Sequence, residues 1–311
     1  MGEFSVLQLL FYLSLLVFVI VMVMKALKIS NMPLHLRWDL YPIPHEKGKS
    51  EYGGSYFEET DWWIKPKEIS LANEIKEMGK EIVFVHSLMQ NNRPLWYFSF
   101  PFHFGMYLLI GFVAVLVLGA ILELSGTVVS TASTSGFAVV VSYLTTALGT
   151  VGWILASLGA LGLLLSRTFN GELRKVSVRA DYFNLILLLA IFAIGLVSSF
   201  TLDTPNADLR RFVGGLISFQ AVGAMPVATT IQLWLMVFLL IYLPFTHMAH
   251  FLGKYFTYHK VRWEDAANLR GNRIETAVKE GLGYKINWSA SHIKSGGTWA
   301  DAATEESSKD E

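Results

Sequence analysis

Five apolar runs, each long enough to cross a bilayer, decide most of what this chain can fold into. A hydrocarbon core about 30 Å thick takes roughly 20 helical residues. A backbone at that depth must satisfy its own hydrogen bonds, and a helix does so within one segment. The runs lie at Val6–Met24, Phe100–Leu122, Val141–Ser166, Tyr182–Thr201 and Ala228–Phe251. They predict an all-α integral membrane bundle of five helices. Composition points the same way, with 53% hydrophobic and 16% charged residues. The first run lacks a basic leader and a small-residue cleavage site and continues into Lys25 and Lys28, so it is expected to stay as a span.

Lysine and arginine orient the bundle. The stretch from Leu27 to Phe98 carries nine, the short link from Arg167 to Arg179 four, and the tail after Gly253 nine. The other side has only Arg210 and Arg211, and the loop from Ser125 to Ser142 has no charge. The expected topology has the N-terminus outside and the C-terminus in the cytoplasm, in the inner (cytoplasmic) membrane. A five-span membrane domain (1–252) then includes a long cytoplasmic first loop (27–98). A cytoplasmic tail (253–311) follows. In the loop, Ile69, Ala72, Ile75, Val83 and Leu88 among charges suit an amphipathic helix lying on the membrane or on a partner. In the tail, Trp263, Tyr284, Ile286, Trp288 and Trp299 suit docking, whereas the terminal TEESSKDE reads as disordered. No internal repeat is present, and no nucleic-acid partner is expected.

Eight histidines are present and no cysteine. Without thiolates the chain cannot itself ligate an iron–sulfur cluster or attach a c-type haem. His103 opens the second run, and His247 and His250 close the fifth. Those runs are antiparallel, so the three histidines fall at one depth, toward the cytoplasmic face. Two imidazoles from facing helices are what six-coordinate haem b takes. Gly105, Gly111 and Gly253 are small neighbours that would leave space for a flat macrocycle. Taken singly, each histidine is equally well an interfacial residue reaching for headgroups.

The segments FHFG at the start of the second run and LPFTHMAH at the end of the fifth, with five spans and an outside N-terminus, resemble the gamma subunit of respiratory nitrate reductase. The phrases MPLHLRWDLYPIPHE and INWSASHIKSGGTWADAATE are similar to the branch of that family that partners heterodisulfide-reductase-like iron–sulfur proteins, including Tmc- and Hmc-type complexes. The resemblance implies two haem histidines ten residues apart in span two and two that are eighteen apart in span five. His103 and His250 match the pair that holds the cytoplasm-proximal haem b. His247 falls where the nitrate reductase subunit has an arginine, and is a second choice as ligand or a propionate partner. At the other two family positions stand Val113 and Gln232, neither a usual haem ligand, so one haem is expected.

Ten helical residues rise about 15 Å. Without an outer haem as relay, a quinone site belongs in the cytoplasmic half. Candidate wall residues are His86, Arg93, Trp96 and Tyr97; the competing reading is an ordinary aromatic belt with a positive-inside arginine. His35, His45 and His292 read as docking residues. Glu123, Asp203, Asp208, Arg210 and Arg211 read as solvated loop charges, with proton relay as the alternative. The function this supports is a membrane cytochrome b subunit of a quinone-linked oxidoreductase complex in anaerobic respiration. It would pass electrons between menaquinone and an iron–sulfur subunit of heterodisulfide-reductase-like type, with a multihaem cytochrome c as a further partner. A cofactor-free anchor or a small transporter is the alternative. The transporter reading wants charge pairs, broken helices or repeats within the spans, and the apolar runs have almost no charge.

Overall fold

The computed structural model describes residues 5–31, 43–200, 205–264 and 266–304. His35, Asp203 and the terminal residues 305–311 lie outside them, as does much of the MPLHLRWDLYPIPHE phrase. Helices dominate: α1 (Val6–Ser30), α2 (Leu71–Phe84), α3 (His86–Asn91), α4 (Arg93–Leu124), α5 (Gly136–Phe169) and α6 (Gly171–Lys175) come first. Then follow α7 (Arg179–Ser198), α8 (Ala207–Ser218), α9 (Val227–Tyr242), α10 (His250–Thr257), α11 (Arg273–Leu282) and α12 (Trp299–Thr304). Pairing outside helices is limited, among the described residues, to three isolated bridges. Five helices are long and apolar enough to cross a membrane: α1, α4, α5, α7 and α9 with its 3₁₀ extension to Phe245. Of the residues read as one amphipathic helix in the first loop, Ala72, Ile75 and Val83 lie in α2, Leu88 lies in α3, and Ile69 precedes both.

Local chemistry sets the ends of the spans. α4 begins at Arg93, ahead of the apolar run, because Asn92 accepts the Leu95 N–H at 3.2 Å and Pro94 occupies the first turn, where its missing N–H costs nothing. α5 begins after Ser135, whose hydroxyl accepts the Ala138 N–H. Span five departs from the expected Ala228–Phe251. Its α-helix stops at Tyr242, passes through a 3₁₀ turn at Leu243–Phe245, and breaks at Thr246, which is extended (φ −111°, ψ 173°) and caps Met248 N–H. Pro244 is the physical reason: it has no N–H to donate back to the preceding turn, and its ring crowds that turn. His247 and His250 therefore lie beyond the span helix, not in its last turns.

The described chain forms two compact units. The first comprises residues up to 19 and 76–244. Within it α4 packs on α5, α5 on α7 and α7 on α9, while α8 packs on α4. The α4–α5 contact is the tightest, and small residues cause it. A Cβ on Gly105 would fall 2.4 Å from Ala156 N, and one on Gly159 would fall 2.4 Å from Phe102 N. Backbones this close gain dispersion contacts that larger side chains would prevent. Gly105 is thus consumed by helix packing, which corrects the reading of it as space for a macrocycle. Trp153 fills the α5–α7 side, lying over Gly195 and edge-on to Phe112 at 6.0 Å.

The second unit comprises residues 20–75 and 245–304 and gathers the first loop up to Ile75 with the chain from Phe245 onward. His259 pairs with Glu74, Lys260 donates to the Ser30 carbonyl, and Lys25 reaches the Thr246 carbonyl at 3.5 Å. Trp263 is buried against Tyr258 and the edge of His45, at ring separations of 4.7 and 5.3 Å. Further along, Ile286 is buried and exchanges backbone hydrogen bonds with Gly296 and Gly297. That brings Trp288 and Trp299 into ring contact at 6.1 Å, both still exposed.

Candidate functional site

His103 sits half-buried on α4. Its Nδ1 faces the Ser99 carbonyl at 2.8 Å, with the Ser99 hydroxyl at 3.3 Å and the Phe102 ring edge-on at 5.2 Å. A carbonyl only accepts, so Nδ1 carries the proton and Nε2 is the basic nitrogen. His250 repeats the pattern at the first position of α10, where Nδ1 donates to the His247 carbonyl at 3.1 Å. His259 has its Nδ1 on the Tyr255 carbonyl too, and its Nε2 meets Glu74. His103 belongs to the first unit and His247 and His250 to the second; the pairing of His103 with His250 rests on the family pattern. The donor set, two imidazoles held in the Nδ1–H tautomer, fits a haem with two histidine ligands.

The two positions where that pattern has further histidines differ from each other. Val113 is 50% exposed on α4 and carries no atom that could ligate iron. Gln232 is 3% exposed and accepts the Ser198 hydroxyl across the α7–α9 interface, where Tyr242 also donates to Asn184 at 2.9 Å. Gln232 is therefore part of helix packing, its amide oxygen satisfied by a neighbour as burial at this depth requires.

His86, Arg93, Trp96 and Tyr97 cluster around the joint of α2, α3 and α4. The joint is held by Glu81, whose carboxylate accepts both the Ser87 N–H and hydroxyl at 2.7 Å, and by Val85 in the left-handed region (φ 50°). His86 accepts from the Gln90 amide at 2.9 Å. The Trp96 indole N–H donates to the Phe84 carbonyl at 2.7 Å, and its ring stacks on Phe100 at 5.0 Å. Tyr97 is 61% exposed. Arg93 is exposed at the helix start.

A second polar centre lies at the opposite end of α4, and residue-by-residue reading of the loop missed it. Arg210, on α8, is 1% exposed. Its Nε donates to Glu123 at 2.8 Å, Nη1 to the Pro205 carbonyl at 3.2 Å and Nη2 to the Val129 carbonyl at 3.0 Å. Beside it Arg211 pairs with Asp208 at 2.8 Å, and Asp208 is itself buried. The reading of Arg210 and Asp208 as solvated loop charges is overturned: α8 is amphipathic, turns Arg210 onto Glu123 of α4 and buries Asp208 beside Arg211. The signal was in the segment ADLRRFVGGLIS, where Leu209, Phe212, Val213 and Leu216 recur at helical spacing between two spans.

A family model described as nitrate reductase gamma subunit matches residues 85–264. The chain is 29% identical over 196 residues to the Hdr-like menaquinol oxidoreductase cytochrome b-like subunit of Archaeoglobus fulgidus. The aligned part covers 57% of this chain and 57% of that relative. No solved structure matches.

Proposed function

Because the chain belongs to the nitrate reductase gamma subunit family, we propose that it is the membrane cytochrome b subunit of a menaquinol-linked redox complex of heterodisulfide-reductase-like type. It exchanges electrons between menaquinone in the bilayer and an iron–sulfur subunit, with a multihaem cytochrome c as a further partner. The relative from Archaeoglobus fulgidus, named as a cytochrome b-like subunit of such an oxidoreductase, supports this reading. Lysine and arginine distribution supports the inner membrane with the N-terminus outside.

The observation that carries the proposal is the matched state of His103 and His250, each with Nδ1–H given to a main-chain carbonyl. Such a hydrogen bond orients the ring and raises the basicity of Nε2, the nitrogen offered to iron. A haem b held there supplies a one-electron centre within the membrane. His103 would be the ligand from α4 and His250 the ligand beyond the α9 break, with His247 the second choice or a partner for a propionate. One haem per chain is proposed, since Val113 has no donor and Gln232 is engaged by Ser198. Near it, His86 and Arg93 would hydrogen-bond a quinone carbonyl. Trp96 and Tyr97 would offer ring faces, the Trp96 N–H being already given to Phe84.

A visible spectrum of the purified chain, reduced with dithionite and compared with the oxidised form, tests the reading. A low-spin b-type difference spectrum is expected. Its absence would favour the cofactor-free anchor or transporter.

A further inference from the structure

We propose that the α8 end of the bundle holds the headgroup of a zwitterionic phospholipid bearing a primary ammonium, of the phosphoethanolamine type. A cavity of about 380 Å³ opens there, lined among others by Ala120, Glu123, Leu124, Arg210, Arg211 and Ser218. It is a built site. Arg210 is almost wholly buried yet lines the cavity, fixed by Glu123 and two main-chain carbonyls. Gly119 lets its stem lie flat on α4, since a Cβ there would fall 2.8 Å from Arg210 Cδ.

Depth and charge select the occupant. Ala120 and Leu124 belong to the last turns of a helix long enough to cross the membrane, so the cavity opens where a span ends, the level of headgroups. With Val222 they give an apolar wall for the glycerol and first acyl carbons. The charged groups are two guanidiniums, Arg210 and Arg211, and two carboxylates, Glu123 and Asp208, each arginine paired with one acid. The sum is zero, so a net anion gains no net attraction, whereas a group with adjoining positive and negative ends can match both signs. Glu123 is one-third exposed and gives one oxygen to Arg210. Its other oxygen is the acceptor for an ammonium. Arg211 is half exposed, spends one nitrogen on Asp208 and the Ala224 carbonyl, and offers its remaining N–H groups to the phosphate.

Native mass spectrometry of the full chain in detergent, with phosphatidylethanolamine, phosphatidylcholine or phosphatidylglycerol of one acyl composition, tests this. Choline keeps the phosphate but has no N–H, so ethanolamine lipid should be retained about tenfold over it, the worth of a charge-assisted hydrogen bond. Glu123→Gln should abolish that preference. Arg211→Gln, which leaves Arg210 and its partners in place, should weaken both lipids alike. Should Glu123→Gln fail to fold, the wild-type comparison of the three lipids still decides. Equal retention of ethanolamine and choline lipids, a preference for the glycerol lipid, or displacement of bound lipid by a soluble quinol analogue would each overturn the proposal.

Discussion

Arg210 and the two candidate ligands should behave differently under substitution, because Arg210 is held by three protein acceptors whereas the proposed role of the histidines is to bind a cofactor. Replacing Arg210 with Ala strips the guanidinium from Glu123 and two carbonyls. Glu123 is one-third exposed, so the loss comes mainly from main-chain carbonyls left without a donor, about 1–3 kcal/mol, and thermal unfolding in detergent should show a lower Tm. An unchanged Tm would mean that α8 does not depend on this contact. His103→Ala or His250→Ala should instead leave the fold intact and remove the b-type spectrum, while His247→Ala keeps it. Loss of the spectrum in His247→Ala but not in His250→Ala would move the ligand one turn. His103 and His250 were nameable from sequence because a ligating residue type is rare within an apolar run. Arg210 was not, because one arginine beside another reads as solvent charge until the partner 87 residues away is known.

Elements were legible where the pattern repeats and obscure where one residue breaks it. The apolar runs predict each span helix to within a turn or so at most ends. The stop at Tyr242 was missed because Leu243, Pro244 and Phe245 continue the apolarity of α9 while Pro244 removes the hydrogen bond that would continue the helix. Pro244→Ala should lengthen α9 and, by turning His250 about the extended helix, lower haem occupancy, read by circular dichroism and a pyridine haemochrome assay. Unaltered occupancy would show that the break does not position the ligand. In the tail, α12 is set by a reciprocal cap: Asp301 N–H donates to the Thr298 hydroxyl, while the Asp301 carboxylate accepts the Thr298 N–H at 2.8 Å and its hydroxyl at 2.7 Å. Those bonds, the main-chain one first, hold the Asp301 carboxyl below its ordinary value. A depressed carboxyl stabilises above its unfolded pKa and loses that contribution as pH falls through the folded one. Around Trp299, α12 should therefore fray below about pH 4. Trp fluorescence of the tail that stays flat from pH 6 to 3 would contradict this.

At the scale of the molecule, removing the chain after Glu264 keeps the His259–Glu74 and Trp263–His45 contacts and deletes α11, α12 and the Trp288–Trp299 pair. The product should remain a haem-loaded membrane protein that no longer co-purifies with its iron–sulfur subunit. Continued co-purification would move the docking surface to the first loop. What the sequence determined by itself is the class: five spans and a candidate ligand set. Transfer into a bilayer depends on the length and apolarity of one contiguous segment, and both can be counted along the chain. Tertiary structure alone decided that Gly105 is spent on Ala156, that Gln232 answers Ser198, that Arg210 is buried against Glu123, and that the first loop up to Ile75 shares one unit with the tail. Each of these depends on which distant group comes within hydrogen-bonding or van der Waals reach, and local periodicity has no record of that.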